Sequence, residues 1–392
     1  MISVEEARAA LLGLATPLPV ETVPLRAAAN RTLAGPLLAL HDQPSFAASA
    51  MDGYAVAADT CHPGQTFEVM GESAAGHPHV GAVAQGQAVR IFTGAVLPQG
   101  AKRVLIQEDV DRDGNRITLR SNPDDARHIR PAAGDFAKGM PHHPTGPLGA
   151  RDIALLAAMG HGVVPVVRRP SVAILMTGDE LRAPGQALSA GQITASNGYG
   201  LAAMFDGMGA ITRLLPIARD TRDSLNAAMD FATGADLLVT IGGASVGDHD
   251  LIAEVLRSRG VDMAFHKVAM RPGKPLMAGR IGDMPIVGLP GNPVSAMVCG
   301  LLFIRPMIAR MLHRPDTDNT LQASLAHAIG ANGPRAHYMR ASMGKDGRVS
   351  VAPQQDSSLL SVLASCDTLV VRPPHDPARN AGDTVLCIPL PH

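Results

Sequence analysis

The stretch Ser171-Val-Ala-Ile-Leu-Met-Thr-Gly-Asp-Glu180 joins an apolar run to a polar turn that contains glycine. A short apolar run followed by such a turn predicts a buried strand that ends at Met176. The same arrangement recurs at residues 236–250 and 285–293, and helical patterns separate the three runs. Because alternation of strands and helices is typical of parallel sheets with crossover helices, residues 169–315 are predicted to form a three-layer α/β domain.

The sequence on either side of this domain has a β-rich pattern with helical flanks. A capping box of Ser3 and Glu6 predicts a first helix, and Asp111-Arg-Asp-Gly-Asn115 and Lys345-Asp-Gly-Arg348 predict hairpins. The predicted fold class is α/β plus β with several domains. Its parts are a discontinuous N-terminal linker domain (1–45 and 136–168), an inserted β-rich module (46–135), the α/β domain (169–315) and a small C-terminal β domain (316–392).

Composition excludes two classes of function. The chain has 392 residues with 34 Lys and Arg against 35 Asp and Glu, a formal net charge of −1. This balance excludes a protein that binds nucleic acid through bulk positive charge. Trp is absent and aromatic residues make up 3%, so a platform for stacking bases is not expected.

The cysteines and the N-terminus indicate a cytoplasmic protein. The four cysteines lie far apart without a C-x-x-C pair, which fits neither a zinc knuckle nor a disulfide framework. Glu5 and Glu6 stand where a signal peptide would carry basic residues, and polar residues interrupt every long apolar run. No membrane partner is therefore predicted.

Acidic residues follow the predicted strands of the α/β domain. They are Asp179, Glu180, Asp220, Asp248 and Asp250. Turns at the carboxyl ends of parallel strands line the ligand crevice of open α/β sheets, and carboxylate oxygens suit Mg²⁺ that bridges to a substrate phosphate. A merely solvated turn at residues 177–180 explains its two acids equally well.

Residues 243–247 match the G-x-S-x-G pattern of a hydrolase nucleophile elbow. Ser245 would then be the nucleophile, and its histidine would be found among His266, His313 and His337. Two carboxylates so close after Ser245 would oppose the oxyanion of an acyl-transfer site. A serine hydrolase therefore remains as an alternative.

A basic loop and a proline-rich turn complete the candidate features. Lys267, Arg271 and Lys274 lie within eight residues and suit a phosphate, or they form a solvated loop. In Leu289-Pro-Gly-Asn-Pro293, Asn292 could line a ligand crevice or simply begin a helix as its N-cap.

Six motifs in a fixed order resemble the molybdopterin molybdenumtransferase family, which includes the bacterial MoeA proteins and the gephyrin E domain. The motifs are Ser49-Ala-Met-Asp-Gly-Tyr-Ala-Val56, Phe92-Thr-Gly-Ala95, Met176-Thr-Gly-Asp-Glu-Leu181, Gly242-Gly-Ala-Ser-Val-Gly247, Arg271-Pro-Gly-Lys-Pro275 and Leu289-Pro-Gly-Asn-Pro-Val-Ser-Ala296. The resemblance covers nearly the whole chain.

This resemblance implies the final step of molybdenum cofactor synthesis. In that step, molybdate is inserted into adenylylated molybdopterin, AMP is released and Mg²⁺ is the cofactor. It also implies a homodimer in which the N-terminal module of one subunit closes over the α/β domain of the other, and a molybdopterin adenylyltransferase as a partner. A non-catalytic scaffold, the second role of the gephyrin branch, is a further alternative.

The resemblance also assigns roles to particular residues. The catalytic set is Asp52, Thr93, Asp220 and Asp250. The metal set is Asp179, Glu180, Asp250 and Asp135. The substrate-binding set is Thr177, Gly178, Asn197, Gly242, Gly243, Ser245, Lys267, Arg271, Lys274, Pro290, Asn292, Pro293 and Ser361, with Gln355 and Ser357 near the edge of the C-terminal domain. The glycine turns are expected to offer backbone N–H donors.

One segment departs from the family pattern. The chain reads Arg130-Pro-Ala-Ala-Gly-Asp135, in which the glycine is displaced and the acid usually found beside Asp135 is missing. Leu251 also follows Asp250 where the family commonly has an aromatic residue. Neither change removes a whole motif.

Overall fold

The structure is a computed structural model that describes residues 1–242, 251–315 and 320–391. The chain divides into two units. The first unit comprises Met1–Glu21, Asn30–Ala34 and Val166–His392, and the second comprises Thr22–Ala29 and Gly35–Pro165. The four boundaries expected from the sequence stay a prediction, because this division follows packing and groups the α/β and C-terminal domains together.

A six-stranded sheet forms the centre of the first unit. Its strands in spatial order are Ile211–Leu214, Ser171–Met176, Leu237–Ile241, Met284–Leu289, Met277–Ile281 and Asp262–Phe265. The first four are parallel to one another, as predicted. Met277–Ile281 runs antiparallel to both of its neighbours, so Asp262–Phe265 runs in the same direction as the first four. The strand Met277–Ile281 was not predicted from the sequence. Gly282 and Asp283 form a tight turn between it and Met284–Leu289, and a hairpin can only pair two strands antiparallel.

Helices cover both faces of this sheet, which confirms the three layers. Val172 and Ile174 pack toward one face, where they share a core with Phe205 and Phe303. The alternate residue Leu175 packs toward the opposite face. This alternation follows from the two-residue period of a strand. The helices of the first unit are Val4–Leu14, Asn197–Gly207, Arg222–Asp230, Leu251–Ser258, Pro293–Cys299, Arg305–Met311 and Leu360–Ala364, with a π-helical segment at Gly300–Ile304.

Local sequence signals fix several helix ends. The Ser3 hydroxyl accepts a hydrogen bond from the backbone N–H of Glu6, and the Glu6 carboxylate accepts one from the backbone N–H of Ser3, as the capping box predicts. The helical segment Pro293–Met311 has a mean hydropathy of 1.5, apolar enough to span a membrane. Because 78% of it is buried inside the protein, it has the character of a core helix.

The rest of the first unit is a small β-barrel. Its strands Leu321–Leu325, Ala336–Met343, Arg348–Val351, Thr368–Arg372 and Thr384–Pro389 close into a ring, and Met270–Arg271 adds a short parallel pairing at the start of the second of them. This is the predicted C-terminal β fold, and residues 345–348 lie at its hairpin as expected. A two-stranded pair, Leu181–Arg182 with Ile193–Thr194, lies beside the α/β sheet.

The second unit contains its own six-stranded sheet. Its strands in spatial order are Arg103–Ile106, Gly53–Val56, Gln87–Ile91, Thr66–Ser73, Arg116–Leu119 and Val110–Asp113. The last two form the hairpin predicted from residues 111–115. The shorter elements are the strands Leu37–Leu38, Ala48–Ser49, Ile129–Arg130 and Pro141–His142, the 3-10 turns Leu25–Ala27 and Gln107–Asp109 and the helix Ala150–Ala158. The strands Val20–Pro24 and Val163–Val167 lie where the two units meet in the sequence.

Candidate active site

A cavity of about 930 Å³ opens where three parallel strands of the first unit end. Thr177 and Gly178 follow the strand Ser171–Met176, and Gly242 follows the strand Leu237–Ile241. The turn 290–293 follows the third strand and also lines the cavity. The sequence prediction that these turns lie together therefore agrees with the packing, and the crevice lies where open α/β sheets bind ligands.

Glycine at position 242 lets two strand ends approach closely. Its φ of +93° is in the region that favours glycine, and a Cβ there would lie 2.7 Å from the backbone oxygen of Thr177. The backbone N–H groups of Thr177, Gly178 and Gly242 donate to Ile241, Ala218 and Leu289, at 3.1, 3.1 and 3.2 Å. These three N–H groups are thus committed within the fold. The expectation that they serve as ligand donors is wrong, and glycine here supplies room.

Three acidic side chains surround the turn that follows the strand Ser171–Met176. Glu180 and Asp220 line the large cavity, whereas Asp179 lines a neighbouring cavity of about 510 Å³. The backbone N–H of Asp220 donates to Asp179 Oδ1 at 3.3 Å. Burial, and then the charges of Asp179 and Glu180, raise the pKa of Asp220 above its ordinary value. This cluster therefore concentrates negative charge at the mouth of the cavity.

Two asparagines fix the proline-rich turn. Asn197 Nδ2 donates to the Gly291 carbonyl at 2.7 Å, and Asn292 Nδ2 donates to Ser357 Oγ at 2.9 Å. Asn292 does occupy the N-cap position of the helix that begins at Pro293, yet its side chain makes no capping hydrogen bond. Its amide instead joins the turn to the C-terminal barrel, so the simple helix-start interpretation does not account for this residue.

The barrel residues expected near the site are used differently. Gln355 Oε1 accepts hydrogen bonds from the backbone and side chain of Arg340, which gives Gln355 a structural role. Ser361 is exposed on the helix Leu360–Ala364 and is not among the described residues that line the cavity. Of the three, only Ser357 contacts the turns of the site.

The basic loop lies beside the cavity. The backbone N–H of Val268 donates to the carbonyl of Lys274 at 3.1 Å, which brings the two ends of the loop together, and Pro275 lines the cavity. Arg271 and Lys274 are exposed and Lys267 is partly exposed. Within residues 1–242, 251–315 and 320–391, none of these three side chains has an ion pair or a hydrogen bond. Their charges are therefore available to an anion.

In the second unit, Asp52 and Thr93 form one contact. The backbone N–H and the hydroxyl of Thr93 both donate to Asp52 Oδ1, at 2.7 and 2.8 Å. These hydrogen bonds, and to a lesser degree the charge of Arg90, lower the pKa of Asp52. Asp135 is exposed after the strand Ile129–Arg130, and only its backbone N–H has a described partner, the Gln43 carbonyl at 2.9 Å.

Some predicted residues cannot be placed. Gly243, Ser245, Asp248 and Asp250 lie outside the described residues. Among the described residues, no three acidic, histidine or cysteine side chains come close enough together to hold a metal ion. The metal set predicted from the sequence therefore stays a prediction.

The histidines offer no support for the hydrolase. No histidine is found among the described residues that line the large cavity. His313 Nε2 contacts the Leu18 carbonyl at 2.9 Å. Burial, and then the charges of Arg271, Arg372, Arg340 and Arg335, lower the pKa of His337 to about 4, so its ring is neutral and enclosed near pH 7.

Sequence reasoning missed polar residues that line the cavity. Thr194 and Ser196 precede the helix Asn197–Gly207, and both contribute to the wall. The polar run that contains them, Thr194-Ala-Ser-Asn197, was a usable signal because it interrupts the pattern just before a predicted helix. Arg90, which contacts the residues around Asp52, had no such signal.

Comparison with known proteins gives a consistent assignment for all parts of the chain. Residues 2–160 match the MoeA N-terminal region (domain I and II), residues 173–310 match the "probable molybdopterin binding domain", and residues 322–390 match the MoeA C-terminal region (domain IV).

Individual relatives extend over the same length. A molybdopterin molybdenumtransferase of Nostoc sp. is 35% identical over 387 residues, which is 95% of this chain and 89% of the relative. One from Haemophilus influenzae is 32% identical and covers 100% and 99% of the two chains. The crystal structure of a molybdopterin biosynthesis MoeA protein from Pyrococcus horikoshii superposes with a TM-score of 0.88 at 28% identity and covers both chains fully. The chain belongs to the molybdopterin molybdenumtransferase family.

Proposed function

We propose that this protein is the enzyme that inserts molybdate into adenylylated molybdopterin and releases AMP, the final step of molybdenum cofactor synthesis. The observation that carries the proposal is the cavity at the strand ends, which lies in the region similar to molybdopterin-binding domains and has Glu180 and Asp220 at its wall. A volume of about 930 Å³ is at the upper end of ligand pockets, as a pterin joined to a nucleotide requires.

The reaction combines two bond changes. Water is added across the phosphoanhydride that joins AMP to the molybdopterin phosphate. The two dithiolene sulfurs replace oxygen ligands of molybdate, which leave as water with the thiol protons, and molybdenum keeps its oxidation state. Asp52 acts in this reaction by orienting the attacking water or the molybdate, because its Oδ1 is held by Thr93. Lys267, Arg271 and Lys274 bind the phosphate or molybdate oxygens through charge-assisted hydrogen bonds.

Mg²⁺ fits the chemistry of the acidic cluster. Burial, and then the charges of Asp179 and Glu180, raise the pKa of Asp220, and a divalent cation relieves this repulsion. Mg²⁺ binds through one or two carboxylates together with substrate phosphate and water, so three protein ligands are not needed. When bound, it neutralises charge on the pyrophosphate. Asp250 and Asp135 remain proposed members of the metal set.

The other proposed substrate-binding residues are assigned by their place around the same cavity or by their motif. Thr177, Gly178, Gly242, Pro290 and Pro293 shape its wall, and Asn197 and Asn292 position the proline-rich turn. Gly243 and Ser245 are proposed to bind the same substrate on the strength of their motif. Ser361, like the three residues of the basic loop, is not among the described residues that line the cavity, and its binding role rests on the resemblance alone.

The assembly and cellular setting belong to the proposal as well. The sequence resemblance supports a homodimer in which Asp52 of one subunit serves the cavity of the other. It also supports an adenylyltransferase as the supplier of the adenylylated substrate and a cytoplasmic location. The free thiols of Cys61, Cys299, Cys366 and Cys387 agree with a reducing compartment.

The two alternatives find less support. A serine hydrolase needs a histidine beside Ser245, and the cavity wall offers none among its described residues. A purely structural scaffold has no need for a carboxylate cluster at unfavourable electrostatic cost beside a cavity.

Anaerobic incubation of the protein with adenylylated molybdopterin, molybdate and Mg²⁺ tests the proposal. Mass analysis should find AMP and a molybdenum-loaded molybdopterin, both dependent on added molybdate. If the wild-type protein releases no AMP under these conditions, the transferase assignment is wrong. Hydrolysis of simple esters that is abolished by Ser245→Ala would support the hydrolase instead.

A further inference from the structure

Arg90 is half-buried and lies beside the proposed catalytic aspartate. Its guanidinium carbon lies 5.0 Å from the ring centroid of Tyr54 and 4.9 Å from that of Phe92. Tyr54 is its direct partner across the antiparallel strand pair, so the contact is built into the sheet register. Two cation–π contacts restrict the guanidinium to one orientation. The side chain of Arg90 is therefore held in place before any ligand binds.

The same guanidinium joins the segments on either side of Asp52. Its Nη1 donates to the Gly53 carbonyl at 3.3 Å, and its Nη2 donates to Gln107 Oε1 at 2.6 Å. The backbone N–H of Gln107 in turn donates to the Asp52 carbonyl at 3.1 Å. Arg90 thus contacts the backbone next to Asp52 directly, at the Gly53 carbonyl. It also contacts the Asp52 carbonyl indirectly, through Gln107.

The carboxylate of Asp52 is held on one side only. Both hydrogen bonds from Thr93 reach Oδ1, and no described residue donates a hydrogen bond to Oδ2. Thr93 follows Arg90 by three residues on the same segment, so Arg90, Gln107, Asp52 and Thr93 form a closed ring of contacts. Asp52 therefore presents one free oxygen in a fixed direction.

A purely structural role for Arg90 explains this arrangement less well. Glu72 is its neighbour in the adjacent strand, yet no ion pair forms between these two residues in the structure. The charge of Arg90 instead acts on Asp52, whose pKa it lowers.

We propose that Arg90 is a positioning residue that fixes the direction of the free Asp52 oxygen in the molybdate-dependent release of AMP. The proposal rests on the function proposed above for Asp52. The planar fork of the guanidinium carries this role, because one side chain must reach the Gly53 carbonyl and the Gln107 amide at once while stacking between two rings. A lysine ammonium has no planar fork, so it cannot make both hydrogen bonds while stacking between the two rings.

The test compares Arg90→Gln and Arg90→Lys with the matched control Arg116→Gln, an exposed arginine on the hairpin of the same sheet. The kcat of AMP release should fall about tenfold in Arg90→Gln, with KM for the adenylylated substrate changed less than about twofold. Arg90→Lys should recover less than half of the loss. Arg116→Gln should match the wild type.

A spectroscopic readout separates positioning from activity. The carboxyl ¹³C resonance of Asp52, assigned by its disappearance in Asp52→Asn, should move in both Arg90 variants at constant pH and stay in place in Arg116→Gln. Phe92→Leu, which removes one ring and keeps Arg90, should lower kcat about threefold and keeps the test open if Arg90→Gln does not fold.

Three results would overturn the inference. They are a folded Arg90→Gln with unchanged kcat and unchanged Asp52 resonance, full recovery by Arg90→Lys, and loss of affinity with unchanged kcat. A shifted resonance in Arg90→Gln combined with full activity of Asp52→Asn would instead overturn the role of Asp52 itself.

Discussion

Two aspartates of the proposed site have opposite electrostatic surroundings. Asp220 lies in the α/β unit, where burial and two neighbouring carboxylates raise its pKa. Asp52 lies in the other unit, where two hydrogen bonds from Thr93 and the charge of Arg90 lower its pKa. The first carboxylate is costly to ionise without a cation, whereas the second is ionised at little cost.

The difference indicates two different tasks. A carboxylate among other carboxylates gains most when a cation arrives, so Asp220 suits a metal-dependent binding role. A carboxylate with one oxygen held and the other open suits orientation of a small reactant, because its direction is set in advance. Under the proposed function, these surroundings favour a binding role for the cavity and a role in the chemistry for Asp52.

Substitution of Asp52 should have the largest effect. In Asp52→Asn, we expect molybdate-dependent AMP release to fall about 1,000-fold, because the amide lacks the negative charge and cannot accept a proton. Binding of adenylylated molybdopterin, measured by calorimetry without molybdate, should be unchanged. Asp113→Asn, an exposed acid on the hairpin of the same sheet, serves as the control. If Asp52→Asn lost substrate binding and turnover to the same degree, Asp52 would be a binding residue and not one that acts in the chemistry.

Substitution of Gly242 tests whether the cavity depends on close approach of two strand ends. Gly242→Ala should lower the free energy of unfolding by about 3 kcal/mol, because the methyl group meets the Thr177 carbonyl and the φ is unfavourable. Gly234→Ala is the matched control, since Gly234 also has a positive φ of +78° but open space around its Cβ position. Denaturant titration should find a loss of about 1 kcal/mol for the control. Equal losses of unfolding free energy in the two variants would show that the unfavourable φ, and not the contact with the Thr177 carbonyl, sets the cost.

Substitution of Asp220 should affect stability and function in opposite directions. Asp220→Asn removes a partly desolvated charge that Asp179 and Glu180 repel. Because the side chain is exposed and solvent screens this repulsion, we expect the free energy of unfolding without Mg²⁺ to rise by less than about 1 kcal/mol. The Mg²⁺ concentration needed for half-maximal AMP release should rise about tenfold. Asp223→Asn, at an exposed position of the next helix, should change neither quantity. A destabilised Asp220→Asn would contradict the electrostatic account.

The smallest predicted effect concerns His337, where burial and four arginines lower the pKa to about 4. A histidine whose pKa is lower in the folded state than in the unfolded chain stabilises the fold above about pH 6.5, and this contribution is lost as the pH falls toward 4. Relative to His337→Gln, the wild-type protein should therefore lose about 1 kcal/mol between pH 7 and pH 5.5 in denaturant titrations. A pH-independent difference between the two proteins would show that the ring is not enclosed as described.

The sequence was sufficient for the features that depend on local pattern. Three such features are confirmed, namely the strand at residues 171–176, the capping box at Ser3 and the hairpin at residues 111–115. Each depends on hydrophobic periodicity or turn-forming residues within a few positions of one another. The polar turns also met at one edge, since parallel strands place their carboxyl ends together.

Features that depend on distant contacts could not be predicted in this way. The strand Met277–Ile281 was missed, and its antiparallel direction follows from a two-residue turn. The backbone N–H groups of Thr177, Gly178 and Gly242 are committed to neighbouring segments of the fold, which only the packing of the strand ends reveals. Arg90 gave no signal because its importance comes from two rings and two acceptors that the fold brings together.

The central claim is that the two aspartates serve one reaction although they lie in different units of the chain. A hybrid dimer of Asp52→Asn and Asp220→Asn subunits, purified through two different affinity tags, tests it most directly. The assay is run at the Mg²⁺ concentration that is half-maximal for the wild type, where the Asp220→Asn dimer is mostly inactive. If Asp52 of one subunit serves the cavity of the other, one site keeps both acids, and the hybrid should show about half the AMP release of the wild-type dimer. AMP release no higher than that of either variant alone would contradict the account.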